Sequence, residues 1–130
     1  MNTKKKILVV DDEKPIRELI RVNLEARGYK VALANNGSEA VALLESEQFE
    51  LIILDVMMPD MDGWEVCKYI RDHPVLHEAK IIMLTARAAP KDKMIGLDIL
   101  KANMYITKPF DIEYLSVSVQ ELLNEPPLSL

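Results

Sequence analysis

The chain has one cysteine, Cys67, in 130 residues. No internal disulfide can form and no cysteine pair is there to bind metal, which points to a reducing, intracellular setting. An excess of basic charge is missing too. The balance is −5 at pH 7, and Lys4, Lys5 and Lys6 are too short a run to serve as a nucleic-acid arm, so no direct nucleic-acid binding is expected. No apolar run approaches the ~20 residues that span a bilayer. The polar start at 1–6 leads into an apolar run that halts at two aspartates, which is not the pattern of a signal peptide. No membrane contact is expected, and the cytoplasm is the expected location. Internal repeats and low-complexity tracts are absent.

What is present is globular material, with 49% hydrophobic and 28% charged residues, enough for one domain with a core that needs no staples. Unbroken apolar runs at 7–10 (ILVV), 51–54 (LIIL) and 80–84 (KIIML) suit strands buried on both faces. Residues 29–34 (YKVALA) alternate as a strand with one face less buried, and 104–106 (MYI) is a short fifth strand. Apolar residues at helical spacing follow each strand. Ile16, Leu19, Ile20 and Leu24 stand behind Pro15, with Gly28 closing that helix. Ala40, Val41 and Leu44 follow a capping box of Asn36 and Glu39. Trp64, Cys67 and Ile70 set a third helix, Met94, Ile95 and Leu97 a fourth over 91–100, and Ile112, Leu115, Val119 and Leu122 a fifth. Five βα units with short joins predict an α/β fold, a parallel sheet covered on both faces. Its predicted strand order is 2-1-3-4-5, flavodoxin-like and doubly wound. Residues 125–130 (EPPLSL) read as a tail or the start of a linker.

The informative residues are those that end the strands. The first run stops at Asp11-Asp12, the third at Asp55, the fourth at Thr85, and Lys108 follows the fifth. In a parallel sheet these ends share the edge where open α/β sheets bind ligands. Clustered carboxylates cannot all stay ionised without a counter-charge. Magnesium would supply it, since Mg2+ takes a few carboxylate oxygens, keeps waters and bridges to phosphate. With the cation on one side and the Lys108 ammonium on the other, Asp55 is placed to accept a phosphoryl group as a carboxylate nucleophile. Thr85 would donate a hydroxyl to the same group. Singly, each residue has a plain structural explanation: Asp12 or Asp62 as a helix cap, Thr85 as a strand-end β-branched residue, Lys108 as a solvated lysine. Assembled at four strand ends, they favour phosphoryl chemistry.

The motifs VVDDE (9–13), LDVMMPDMDG (54–63), LTAR (84–87) and YITKPF (105–110) resemble those of the receiver domain of two-component response regulators, over residues 5–124. The resemblance implies a receiver domain at 1–124 that acts as a phosphorylation-activated switch. It implies Asp55 as phosphoacceptor, and Asp11, Asp12, Asp55 and the Met57 carbonyl as the magnesium site. Lys108 would be the phosphate-binding lysine, preceding a cis proline, with Thr85 and Tyr105 as the switch pair. It further implies a sensor histidine kinase or histidine phosphotransfer protein as donor, docking at Ile16, Leu19, Pro109 and Phe110. Output would pass through helix 4, strand 5 and helix 5, to a downstream output domain or a homodimer. The resemblance also implies that Met57 and Arg87 occupy positions that tune dephosphorylation. One segment departs from the family pattern: GLDILKANMY (96–105) is one residue longer than usual, and Lys101 replaces the usual glycine, with Asn103 as the available left-handed cap.

Three other functions are weighed against these residues. A phosphohydrolase of the haloacid-dehalogenase type needs an acid two residues after the nucleophile, and that position is Met57, so no turnover enzyme is expected. A flavodoxin-like cofactor binder would need a phosphate-cradling loop after the first strand, where Asp11, Asp12 and Glu13 would repel an anion. A docking module without phosphorylation would not need the full site set.

Overall fold

Five short strands lie side by side: β1 (Lys6–Val10), β2 (Lys30–Ala34), β3 (Leu51–Leu54), β4 (Lys80–Thr85) and β5 (Met104–Thr107). All pair in parallel in the order β2-β1-β3-β4-β5, the order expected from the sequence. The structure, a computed structural model, describes residues 4–124; the tail or linker expected at 125–130 lies outside the described residues. Helices α1 (Lys14–Ala26), α2 (Gly37–Ser46), α3 (Gly63–Asp72) and α4 (Pro90–Met94) lie in the four crossovers, and α5 (Ile112–Leu122) follows the last strand.

The sheet's two faces divide the core. Leu8, Val10, Ile52, Leu54, Ile81 and Met83 pack with Ala40 and Leu44 of α2 and with Val66, Cys67 and Ile70 of α3. Their strand neighbours Ile7, Val9, Leu51, Ile53, Ile82 and Leu84 pack with Ile20 and Leu24 of α1 and Leu115 and Val119 of α5. Successive strand side chains point to opposite faces, so an unbroken apolar run is what a strand covered on both sides requires. None of the described helices is long and apolar enough to cross a membrane.

Local details refine the sequence reading. Asn36 caps α2 through the Glu39 N–H at 2.9 Å, but Glu39 reaches back to the N–H of Asn35 rather than that of Asn36. The fourth helix differs more. Its α-helical part ends at Met94, and Ile95–Ile99 is π-helical, with the Leu100 N–H bonded to the Ile95 carbonyl five residues back at 2.9 Å. A π turn is how a helix absorbs one inserted residue. Met94, expected inside, is exposed, while Asp92 and Gly96 are buried. Lys101 itself adopts the left-handed conformation, with φ 64°, and the Ala102 N–H closes the helix end on the Gly96 carbonyl at 2.8 Å. Asn103 is therefore not the cap; its Oδ1 accepts the Ile81 N–H at 2.8 Å and an Arg71 N–H at 3.0 Å. Arg71 also donates to the Lys101 carbonyl at 3.0 Å, which holds the residue that lacks glycine's freedom.

Cys67 is wholly buried in the α3 layer, and burial pushes its thiol up to about 11. The thiolate is the nucleophile, so at pH 8 ionisation alone lowers its reactivity about 100-fold against an ordinary thiol. Alkylation by iodoacetamide should therefore proceed only when the chain unfolds. Comparing native and urea-unfolded protein by mass checks this; equal rates in the two would refute it.

Candidate functional site

Backbone pairing carries the site residues to one rim. The ladders run one residue past the apolar segments: the Asp11 N–H bonds to the Ala34 carbonyl at 3.2 Å, and the Asp55 N–H to the Val10 carbonyl at 3.0 Å. Since Val10 pairs with Leu54, Asp11 and Asp55 emerge side by side. On the other flank the Lys108 N–H bonds to the Thr85 carbonyl at 2.9 Å, and the Lys108–Pro109 peptide is cis.

The Lys108 ammonium lies among three carboxylates. It donates to Asp11 Oδ2 at 2.7 Å, Asp55 Oδ2 at 2.9 Å and Glu13 Oε2 at 3.0 Å. Burial works against the charge on Lys108, but its hydrogen bonds to Asp11, Asp55 and Glu13 and the charge of Asp55 outweigh that and raise its pKa. Burial also raises the Asp11 carboxyl, opposed by its bonds to Lys108 and to the Glu13 N–H. The remaining oxygen of Asp55, Oδ1, accepts the Met57 N–H at 3.0 Å, so the carboxylate is fixed at both oxygens.

Asp12 is exposed to solvent. Carboxylate oxygens of Asp11, Asp12, Glu13 and Asp55 all lie within 4.8 Å of one another. One ammonium cannot balance four acids at that spacing, and an oxygen-only donor set open to water matches the chemistry of a hard divalent cation.

Thr85 is fully buried at the end of β4, and its hydroxyl accepts the Arg87 N–H at 3.3 Å. Tyr105 is half-buried, and its hydroxyl donates to the Arg87 carbonyl at 2.7 Å. Burial and the nearby charge of Asp92 push that phenol up to about 12, so it stays a donor. Gly96 makes room for it, since a Cβ there would sit 2.9 Å from the ring. Arg87 in turn pairs with Asp92 at 3.0 Å, which ties the loop after β4 to α4.

The structure thus brings Asp11, Asp12, Asp55 and Lys108 to one place, with the Met57 backbone beside them and Thr85 and Tyr105 on the same rim. It adds one residue that the sequence reading left out of the site, Glu13. The available signal was its position: glutamate is a poor N-cap, yet Glu13 occupies the N-cap of α1 without any side-chain cap bond. Its carboxylate is committed elsewhere. Chemically, the arrangement offers an ordered carboxylate with a cation against one oxygen, flanked by acids that can hold a second cation.

Comparison with known proteins adds independent findings. The family model described as "Response regulator receiver domain" matches residues 7–120. The chain is 44% identical over 125 residues to the alkaline phosphatase synthesis transcriptional regulatory protein PhoP of Bacillus subtilis, covering 96% of this chain and 51% of that protein. The chain therefore spans about half the length of this curated relative. Among solved structures, a CheY-like response regulator receiver domain protein from Methanospirillum hungatei superimposes with a TM-score of 0.87 at 32% identity, covering 94% of this chain and 95% of that one. The chemotaxis response regulator CheY4 of Vibrio cholerae gives 0.86 at 36% identity, covering 92% and 99%.

Proposed function

Since the chain belongs to the response regulator receiver domain family, and is accordingly a phosphoryl-accepting signalling switch, we propose that Asp55 is the acceptor and that Lys108 and Thr85 serve the transferred group. The observation that carries this is the Lys108 ammonium bonded at once to Asp55 and to the acids beside it. A carboxylate oxygen of Asp55 attacks phosphorus. The bond from phosphorus to the donor's nitrogen or carboxylate oxygen breaks, and the donor leaves with the bonding electrons. Positioning and charge stabilisation supply most of what phosphoryl transfer needs. Lys108 holds one of the transferring oxygens, Thr85 turns its hydroxyl to another, and the Met57 N–H keeps the attacked carboxylate oriented. Asp11, Asp12, Asp55 and the Met57 carbonyl would hold Mg2+, which supplies counter-charge to the phosphoryl oxygens.

Movement of Thr85 toward the phosphoryl group draws Tyr105 with it and alters the surface of α4, β5 and α5. The donor is a histidine kinase or a histidine phosphotransfer protein, docking over Ile16, Leu19, Pro109 and Phe110. Leu19 is exposed and Ile16 half-buried, so the first offers contact area that the core does not use. Residues 1–124 form the receiver domain, which acts in the cytoplasm, works through an output domain or a homodimer, and is not a turnover enzyme.

Acetyl phosphate with magnesium is expected to add one phosphoryl group, seen by intact mass. Asp55→Asn keeps the side chain's shape and removes the nucleophile, so the added mass should vanish while the fold persists. Modification of the substituted chain at the wild-type rate would refute Asp55 as acceptor.

A further inference from the structure

The ammonium of Lys108 has three N–H donors, and all three are taken, by Asp11, Glu13 and Asp55. An incoming phosphoryl oxygen can bind Lys108 only by displacing one of them. The three are not equally easy to displace. Side chains of Asp11 and Asp55 are 3% and 6% exposed, whereas that of Glu13 is 59% exposed. A buried carboxylate that loses its partner is left desolvated, while an exposed one is taken up by water. Glu13 is also free to move, since its backbone alone starts α1, its carbonyl accepting the Ile16 and Arg17 N–H groups at 3.1 Å. Its carboxylate meanwhile lies within 4.8 Å of the other acids, so its charge is felt by anything bound among them.

We propose that Glu13 is a positioning residue of the phosphorylation site: it holds Lys108 while Asp55 is unmodified, yields it to the phosphoryl oxygen, and through one negative charge favours the cation and opposes the anionic donor. The inference rests on Asp55 being the acceptor. A merely structural Glu13 would not move cation and donor in opposite directions, and this is the discriminating signature.

The test compares the wild-type chain with Glu13→Gln and Glu13→Asp. Binding of magnesium chloride alone is followed by titration calorimetry, and acetyl phosphate modification at saturating magnesium is followed by intact mass. One unit charge about 5 Å away in a largely solvated site changes an equilibrium or rate about three- to tenfold. Glu13→Gln should weaken magnesium binding by that factor and raise the bimolecular rate of phosphorylation by a similar one. Glu13→Asp keeps the charge and should return magnesium affinity to near the wild-type value. The proposal is overturned if Glu13→Gln shifts both quantities the same way or neither, or if Glu13→Asp loses as much magnesium affinity as Glu13→Gln. Failure of the wild-type chain to be modified at all would instead overturn the acceptor assignment, and it is read in a separate arm.

Discussion

Replacing Lys108 by methionine is expected to slow phosphorylation of Asp55 by about 100-fold or more, the usual loss when a preorganised donor to developing oxyanion charge is removed. The same substitution should destabilise the unmodified chain. Lys108 is 13% exposed at its side chain and is the ammonium bonded to Asp11, Glu13 and Asp55. Removing one partner from a buried ionic group costs about 3 kcal/mol or more, because the charges left behind have no counter-ion. The sign of the pH dependence follows from Asp11, whose carboxyl is already raised by burial from its ordinary 3.8 and is held down partly by its bond to Lys108. Without that bond it rises further. A folded-state acid that is raised loses stability as pH climbs from the unfolded value through the folded one, so the variant's deficit should grow from about pH 4 toward neutrality and shrink in acid. Magnesium should recover more stability in the variant than in the wild type, the cation having become the main remaining counter-charge. Urea unfolding with and without magnesium at several pH values checks both statements. A deficit independent of pH and of magnesium would mean that Lys108 matters only for its packing.

Much of this was legible in the residues, and the reason is periodicity. Runs such as LIIL at 51–54 have only one comfortable place, a strand covered on both faces, and short βα joins then leave few topologies. Strand ends follow from the runs, and so do Asp11, Asp55, Thr85 and the neighbourhood of Lys108. What escaped depends on contacts that no spacing encodes. Glu13 reads as the third acid of a solvated turn until β5 brings Lys108 across the sheet, 95 residues away in sequence. The fourth helix reads as ten ordinary α-helical residues with Met94 inside. In the fold Ile95–Ile99 is instead a π turn, Met94 faces outward, and Asp92 is buried and paired with Arg87. Lys101 taking a left-handed conformation without glycine is a tertiary effect, supported by Arg71 from another helix.

Gly63 shows the same limit, and its replacement should have an effect as large as that at Lys108. In the sequence it is only the last residue of the motif LDVMMPDMDG at 54–63. In the fold it opens α3, with no left-handed φ, and it lies against the strand that carries Asp55. A Cβ there would sit 2.2 Å from the Asp55 carbonyl oxygen and 2.7 Å from Val56 Cα, distances at which backbone must move. That backbone is pinned on both sides, by the Asp55 N–H on the Val10 carbonyl at 3.0 Å and by the Gly63 N–H on the Val56 carbonyl at 2.9 Å. Gly63→Ala should therefore cost about 3 kcal/mol, the upper range for overpacking a rigid contact. It should also slow phosphorylation by about 100-fold, since an ångström of misplacement at a reacting group has that effect. Gly28→Ala is the matched control. Gly28 has φ 96°, and a Cβ added to it would meet nothing within 4 Å, so its cost is conformational alone, about 1 kcal/mol, with phosphorylation unchanged. If both variants lost stability equally and neither lost phosphorylation, the close approach of α3 to the Asp55 strand would not be what sets the carboxylate in place.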